Sequence, residues 1–231
     1  MIKTVNNPKG LSSKLTFGSR EYQRISHFLL VSFPYLPSFR PYNITISHEN
    51  TIVWFRVAKV GTRTILDTLQ KAGIKFDAEH PYDCHYPKSK YKAYFKFAFV
   101  RNPFDRLVSC WQNKVVKQNY FKFPDDVLLK MQDFSQFISF VEMQNIESCD
   151  PHLRLQSKLI DLNEINFLGR FESFEDDLKY VLNKLDVVNY SIHQINSTKN
   201  RLAYKDYYNE NLKFRVTKIY ERDLNIFSYR Y

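Results

Sequence analysis

Two short stretches of this chain bring together the donor types that hold a phosphate-like anion. The first is Arg56-Val57-Ala58-Lys59-Val60-Gly61-Thr62-Arg63-Thr64. Where such a stretch joins a strand to a helix, the backbone N–H groups of the first turn and the helix dipole both favour negative charge. Thr62 and Thr64 add hydroxyls, Lys59 adds a point charge, and Gly61 lets the backbone come close to a ligand. It is not a Walker A loop, because G-x-x-x-x-G-K-[ST] needs the lysine after two glycines, whereas Lys59 precedes the only glycine here. Ordinary NTP hydrolysis is therefore disfavoured. By itself K-x-G-T-x-T also fits a plain strand-to-helix turn capped by threonines.

The second stretch runs from Phe99 to Ser109, with Arg101 where a strand would end and Ser109 two turns into a following helix. An arginine fork gives charge-assisted hydrogen bonds and a serine hydroxyl fills a further oxygen, a set suited to a terminal phosphate monoester. The competing reading pairs Arg101 and Arg106 with Asp105 on a surface.

Both stretches need strand, loop and helix in that order. Thr51 to Val57 is a short run of β-branched and aromatic residues, which predicts a buried strand. Ile65, Leu66, Leu69 and Ala72 follow at helical spacing, and Gly73 sits where a helix C′ residue is expected. Tyr94 to Val100 is nearly all apolar, as in a strand covered on both faces. Asn102 as N-cap and Pro103 at N1 predict a helix from there through Leu107, Val108, Trp111 and Val115. A third strand is expected at Ile165 to Phe171, then a helix capped by Ser173 with Asp176, and a final helix over about Tyr204 to Tyr220. The aromatics of the last stretch, such as Tyr220 and Tyr229, are expected mostly in the core. Alternation of strand and helix argues for an α/β fold with a central, mainly parallel sheet flanked by helices, whose ligands gather at the carboxyl ends of the strands. Residues 1–50, with Pro, Ser and Asn among aromatics and no sustained period, are expected to wrap on the core as an N-terminal extension of a 51–231 domain.

Composition agrees with a folded enzyme-sized unit: 231 residues, 44% hydrophobic and 16% aromatic, which excludes a disordered or collagen-like chain. No run approaches a membrane span, no apolar leader follows Met1, and three scattered cysteines suit neither a disulfide framework nor a zinc site. A soluble, cytoplasmic protein is the default expectation. The formal charge is +10, and it is local: residues 87–122 hold nine Lys or Arg against one Asp, whereas residues 125–186 hold thirteen Asp or Glu against six Lys or Arg. The basic stretch, with Tyr91, Tyr94, Phe95, Phe97, Trp111 and Tyr120 interleaved, opens a second reading, a nucleic-acid-binding protein. A nucleotide kinase would need a carboxylate to hold magnesium, and none is identifiable.

Taken together, K-x-G-[ST]-x-[ST] followed by V-R-[ND]-P-x-x-R-L-x-S resembles the sulfotransferases that use 3′-phosphoadenosine-5′-phosphosulfate, especially the carbohydrate sulfotransferases and their bacterial relatives. The resemblance covers about residues 50–231 and extends into Asp150-Pro151-His152 with Gln156, and Phe167-Leu168-Gly169-Arg170-Phe171-Glu172. It implies a P-loop-like three-layer fold, with Lys59, Val60, Gly61, Thr62, Arg63 and Thr64 on the 5′-phosphosulfate and Arg101 and Ser109 on the 3′-phosphate. It also implies adenosine 3′,5′-bisphosphate as product, no metal, a hydroxyl-bearing and most simply saccharide acceptor, and neither nucleic acid nor membrane as partner. Animal members are Golgi proteins, so the Golgi lumen is the alternative location if an anchor has been removed from this chain. The acceptor hydroxyl needs a general base. A strand at Ile74 to Phe76 would put Asp77-Ala78-Glu79-His80-Pro81 near the donor, which makes His80 the first candidate, with Glu79 and His85 as alternatives. The resemblance further places His152 and Arg154 beside the acceptor, and Lys199 and Arg201 in a loop over the donor phosphates. Arg170 either reaches the nucleotide or pairs with Glu172.

Overall fold

The structure is a computed structural model that describes residues 37–79, 84–188, 190–192 and 202–231. In chain order its main elements are β1 (Ile44–Ser47), β2 (Ile52–Phe55), α1 (Thr62–Lys71), β3 (Phe95–Val100), α2 (Pro103–Trp111), α3 (Asp125–Met131), α4 (Phe134–Glu142), β4 (Phe167–Arg170), α5 (Phe174–Lys184) and α6 (Glu210–Ile226). They fall into two compact units. One holds the described residues of 37–100 and 159–192, and the other holds 101–158 and 202–231.

The first unit contains the sheet, ordered β1-β2-β3-β4. β1 and β2 form an antiparallel pair across a short turn, while β2 with β3 and β3 with β4 run parallel. The fold is thus the expected mixed α/β kind, with a mainly parallel sheet. β2 is buried at every position, and so is β3 from Lys96 on, which explains why their sequences show no alternation. Lys96 is the exception in type. Its ammonium lies 3.4 Å from the carbonyls of Lys92 and Tyr94 and 3.9 Å from Glu164, and burial lowers its pKa. Across the β3–β4 ladder, Phe99 faces Gly169, and a Cβ at that glycine would come within 2.6 Å of the Phe99 ring.

Sheet residues begin earlier than the sequence pattern indicates, since β1 lies within the first fifty. Ile74 to Phe76 does not form the expected strand. Ala78 instead makes an isolated bridge to Ile46, with the Ile46 N–H donating to the Ala78 carbonyl at 2.8 Å. The 77–79 stretch therefore lies along β1 and does not follow the carboxyl end of a parallel strand.

Helix ends follow local chemistry. Gly73 adopts φ 84° after α1, and the Ile74 N–H reaches back to the Leu69 carbonyl at 3.0 Å. Asn102 caps α2 by accepting from the Phe104 N–H at 3.0 Å, and Pro103 takes N1 as expected. The α-helix stops at Trp111 and continues as a π-helical turn over Gln112–Val116. At α5 the expected capping box does not form. The Ser173 hydroxyl donates to Asp177, whose Oδ2 also accepts the Arg170 N–H. The final helix starts later and runs further than its spacing predicts, because Asn209 caps it by accepting from the Leu212 N–H and Tyr204–Tyr207 form a separate 3₁₀ turn. Tyr220 and Tyr229 are buried, and the Tyr220 hydroxyl donates to the Leu153 carbonyl. Among the described residues, no helix is long and apolar enough to cross a membrane.

Candidate functional site

The loop between β2 and α1 turns sharply because two of its residues take left-handed backbone conformations, Lys59 at φ 73° and Gly61 at φ 82°. Lysine accepts that conformation at a cost, so the surrounding loop must hold it there. Two anchors are visible: Val60 is fully buried, and the Thr62 hydroxyl donates to the Val57 carbonyl at 2.7 Å. The first intrahelical bond runs from the Ile65 N–H to the Gly61 carbonyl, which leaves the N–H groups of Thr62, Arg63 and Thr64 ahead of the ladder. The first turn of α1 carries no acidic side chain. Lys59, Gly61 and Thr62 are half-buried, Arg63 is exposed and Thr64 is buried. Gly61 has a second reason to be glycine that sequence does not reveal: an added Cβ would lie 2.5 Å from Cε2 of Phe174, the first residue of α5. The loop thus presents cation and N–H donors over a floor built from another element of the same unit.

In the other unit, Arg101 follows directly on β3. Its guanidinium meets Asp105, with Nε donating at 2.7 Å and Nη2 at 2.6 Å to the same oxygen. The pair foreseen as a surface contact therefore exists for Arg101, but Arg101 is only 6% exposed. Arg106 is buried and donates to the carbonyls of Pro151 and Arg154 at 2.8 and 2.9 Å, which ties the 150–154 loop to α2. Ser109 lies half-buried on α2, two turns after Arg101. The main chain of Arg101 is gripped at both polar atoms by the Gln156 side chain.

His80, Lys199 and Arg201 lie outside the described residues. Glu79 is exposed and accepts from Gln70 at 3.3 Å. His85 lies 2.7 Å through Nδ1 from the Ser38 carbonyl. A carbonyl can only accept, so Nδ1 is the donor in this contact and Nε2 is the ring nitrogen left facing away from it. His152 contacts Asp150 through Nδ1 at 2.8 Å, and its ring meets Tyr120 edge-on. Burial works against ionisation of Asp150, but hydrogen bonds from His152 and Tyr120 outweigh it and leave the carboxyl below its usual pKa. Arg154 spends Nε and Nη2 on the carbonyls of Cys149 and Ser148, which makes it a loop brace. Arg170 sits at the end of β4, its N–H held by Asp177. Burial pushes the Cys149 thiol up to about 11, so it is no thiolate nucleophile at neutral pH.

Within the basic 87–122 stretch Lys96, Arg101 and Arg106 are buried, as are Tyr91 and Phe97, whereas Tyr94, Phe95 and Trp111 are half-buried and Tyr120 is exposed. Among the described residues, no group of three or more His, Cys, Asp or Glu side chains could hold a metal ion.

Comparison with known proteins yields one family and several relatives. The profile described as "Sulfotransferase family" matches residues 42–230. Carbohydrate sulfotransferase 10 of Xenopus laevis is 27% identical over 179 residues, covering 60% of this chain and 48% of that protein. Carbohydrate sulfotransferase 12 of Mus musculus is 30% identical over 63% of this chain and 42% of its own length, and carbohydrate sulfotransferase 11 of Rattus norvegicus is 28% identical over 43% and 35%. The chain thus spans about half the length, or less, of the curated relatives it matches. No solved structure gives a significant match.

Proposed function

The chain belongs to the Sulfotransferase family, and on that premise we propose that it moves a sulfuryl group from 3′-phosphoadenosine-5′-phosphosulfate to a hydroxyl of a saccharide by in-line displacement. The observation that carries this reading is the loop after β2, where Lys59 and the N–H groups that open α1 meet in a first turn without acid. That donor set fits a phosphosulfate, which offers only acceptor oxygens. The saccharide rests on the printed names of the relatives.

The nucleotide donor supplies an already activated sulfuryl group. The chain's own residues then have three tasks. The loop from Lys59 to Thr64 fixes the phosphosulfate end, and Lys59 stabilises negative charge on the oxygen from which the sulfuryl group departs. Arg101 and Ser109 hold the 3′-phosphate, with Arg170, Lys199 and Arg201 as further contacts. His80, or its alternatives Glu79 and His85 in the segment between the two motifs, removes the acceptor proton, while His152 and Arg154 border the acceptor. In-line placement supplies the rest of the rate. Charge on the leaving oxygen is met by lysine and N–H groups, so the reaction needs no metal.

Transfer of radiolabelled sulfate from the donor to a panel of neutral and acidic saccharides, in EDTA, tests the proposal. Label is expected in at least one saccharide with EDTA present, and turnover of His80→Ala, Glu79→Gln and His85→Ala compared separates the three candidate bases. Label that appears only when a divalent metal is restored would overturn the metal-free chemistry, and no labelled saccharide at all would overturn the acceptor class.

A further inference from the structure

Arg101 stands where the sheet stops supplying partners. β3 ends at Val100, which pairs with Arg170, and the next peptide needs a new donor and acceptor if it is to stay buried. Gln156 supplies both. Its Oε1 accepts the Arg101 N–H at 3.0 Å, and its Nε2 donates to the Arg101 carbonyl at 2.9 Å, so one fully buried amide stands in for a neighbouring strand. Gln156 in turn opens a 3₁₀ turn, Gln156–Lys158, whose leading donors converge on Asp223 of α6. Asp223 is fully buried; its Oδ2 accepts the Gln156 N–H at 2.6 Å, and its Oδ1 accepts the Ser157 N–H at 3.1 Å and the Ser157 hydroxyl at 2.6 Å. All three segments belong to one unit.

We propose that Gln156 and Asp223 are positioning residues for the 3′-phosphate site: Asp223 fixes Gln156, and Gln156 fixes the Arg101 main chain from which the phosphate-binding guanidinium is aimed. The inference rests on the reading of Arg101 given above and goes beyond it, because neither residue touches the nucleotide. Two features favour this over simple core filling. Both Gln156 amide atoms bond the main chain of the single residue Arg101. Asp105 already orients the guanidinium from the other end, so Arg101 is held at its head by a carboxylate and at its root by an amide. Arginine recognises phosphate by fork geometry, and a small tilt at the root displaces the fork.

The test is calorimetric titration of wild type, Gln156→Met and Asp223→Asn with adenosine 3′,5′-bisphosphate and, separately, adenosine 5′-phosphate. Dissociation constants come from the folded molecules alone, and the stoichiometry reports the folded fraction. Wild type should prefer the bisphosphate. Each variant should bind it about tenfold more weakly, the size expected for one or two lost buried hydrogen bonds, with 5′-phosphate affinity unchanged. Donor KM should rise in parallel while kcat holds. If either variant fails to fold, Ser157→Ala, which removes one of the three bonds to Asp223, should move the same ratio by a smaller factor. Equal loss for both nucleotides, or no loss for either, would overturn the positioning role. Wild type that binds neither nucleotide would instead overturn the nucleotide reading itself, and this inference with it.

Discussion

Lys59→Ala is expected to lower turnover at saturating donor about 100- to 1,000-fold, the range seen when one preorganised donor to a developing oxyanion is removed. On the proposed reading the effect should fall on kcat, because the N–H groups that open α1 would still hold the phosphosulfate in its ground state. Alanine suits this test for a structural reason. Lys59 sits at φ 73°, and alanine meets the same backbone penalty there, so the loop keeps its strain while losing the ammonium and its stem. The anchors at Val60 and Thr62 are untouched. Single-turnover sulfate transfer measures the change, and near-normal turnover at saturating donor would remove Lys59 from the chemistry.

Gly61→Val should be the most damaging single change to the loop. A side chain at φ 82° costs about 1–2 kcal/mol, and overpacking of a tight interior site costs about 1–3 kcal/mol more. The second cost is unavoidable because the Phe174 ring, 2.5 Å from the new Cβ, is itself buried between Phe99 and Phe171. Urea unfolding should show a lower midpoint, and donor binding should fall with it. Gly73→Val is the control: its φ is similar, but nothing lies within 4 Å of an added Cβ, so only the backbone cost applies. Equal midpoints for the two variants would mean that the Phe174 floor does not shape the loop.

How far sequence reaches depends on whether the determining contact is local. The β3-to-α2 junction is legible because Asn102 and Pro103 fix a helix start on their own, and the α1 terminus because Gly73 does the same. β1 has four residues, all buried, so no period marks it. α4 did carry a signal, with Phe134, Phe137, Ile138 and Val141 at helical spacing behind Asp133, whose side chain accepts from the Ser135 N–H. The expected Ser173–Asp176 cap fails because a 3₁₀ turn at Phe171–Ser173 shifts the helix start and brings Asp177 into play.

The site divides in the same way. Lys59, Gly61, Thr62, Arg101 and Ser109 stand out by type and spacing within two short stretches. The pairing of Gln156 with Arg101, and of Asp223 with Gln156, spans 55 and 67 residues and leaves no local trace. Asp223 looks like any polar residue of an amphipathic helix until the fold buries it. Likewise Phe174 gives no hint in sequence that it lies under Gly61. For Arg101, two readings competed, a phosphate ligand and a partner of Asp105. The ion pair with Asp105 is present and holds the fork in place, an arrangement compatible with phosphate binding.

The most direct test of the central claim is calorimetric titration of wild type and Arg101→Ala with adenosine 3′,5′-bisphosphate, beside ATP with magnesium. The predicted result is preference of wild type for the bisphosphate over ATP, with Arg101→Ala binding it about 100-fold more weakly, as expected when one member of a buried, hydrogen-bonded charge pair is truncated. ATP bound as tightly as the bisphosphate, or an Arg101→Ala protein indistinguishable from wild type, would contradict it.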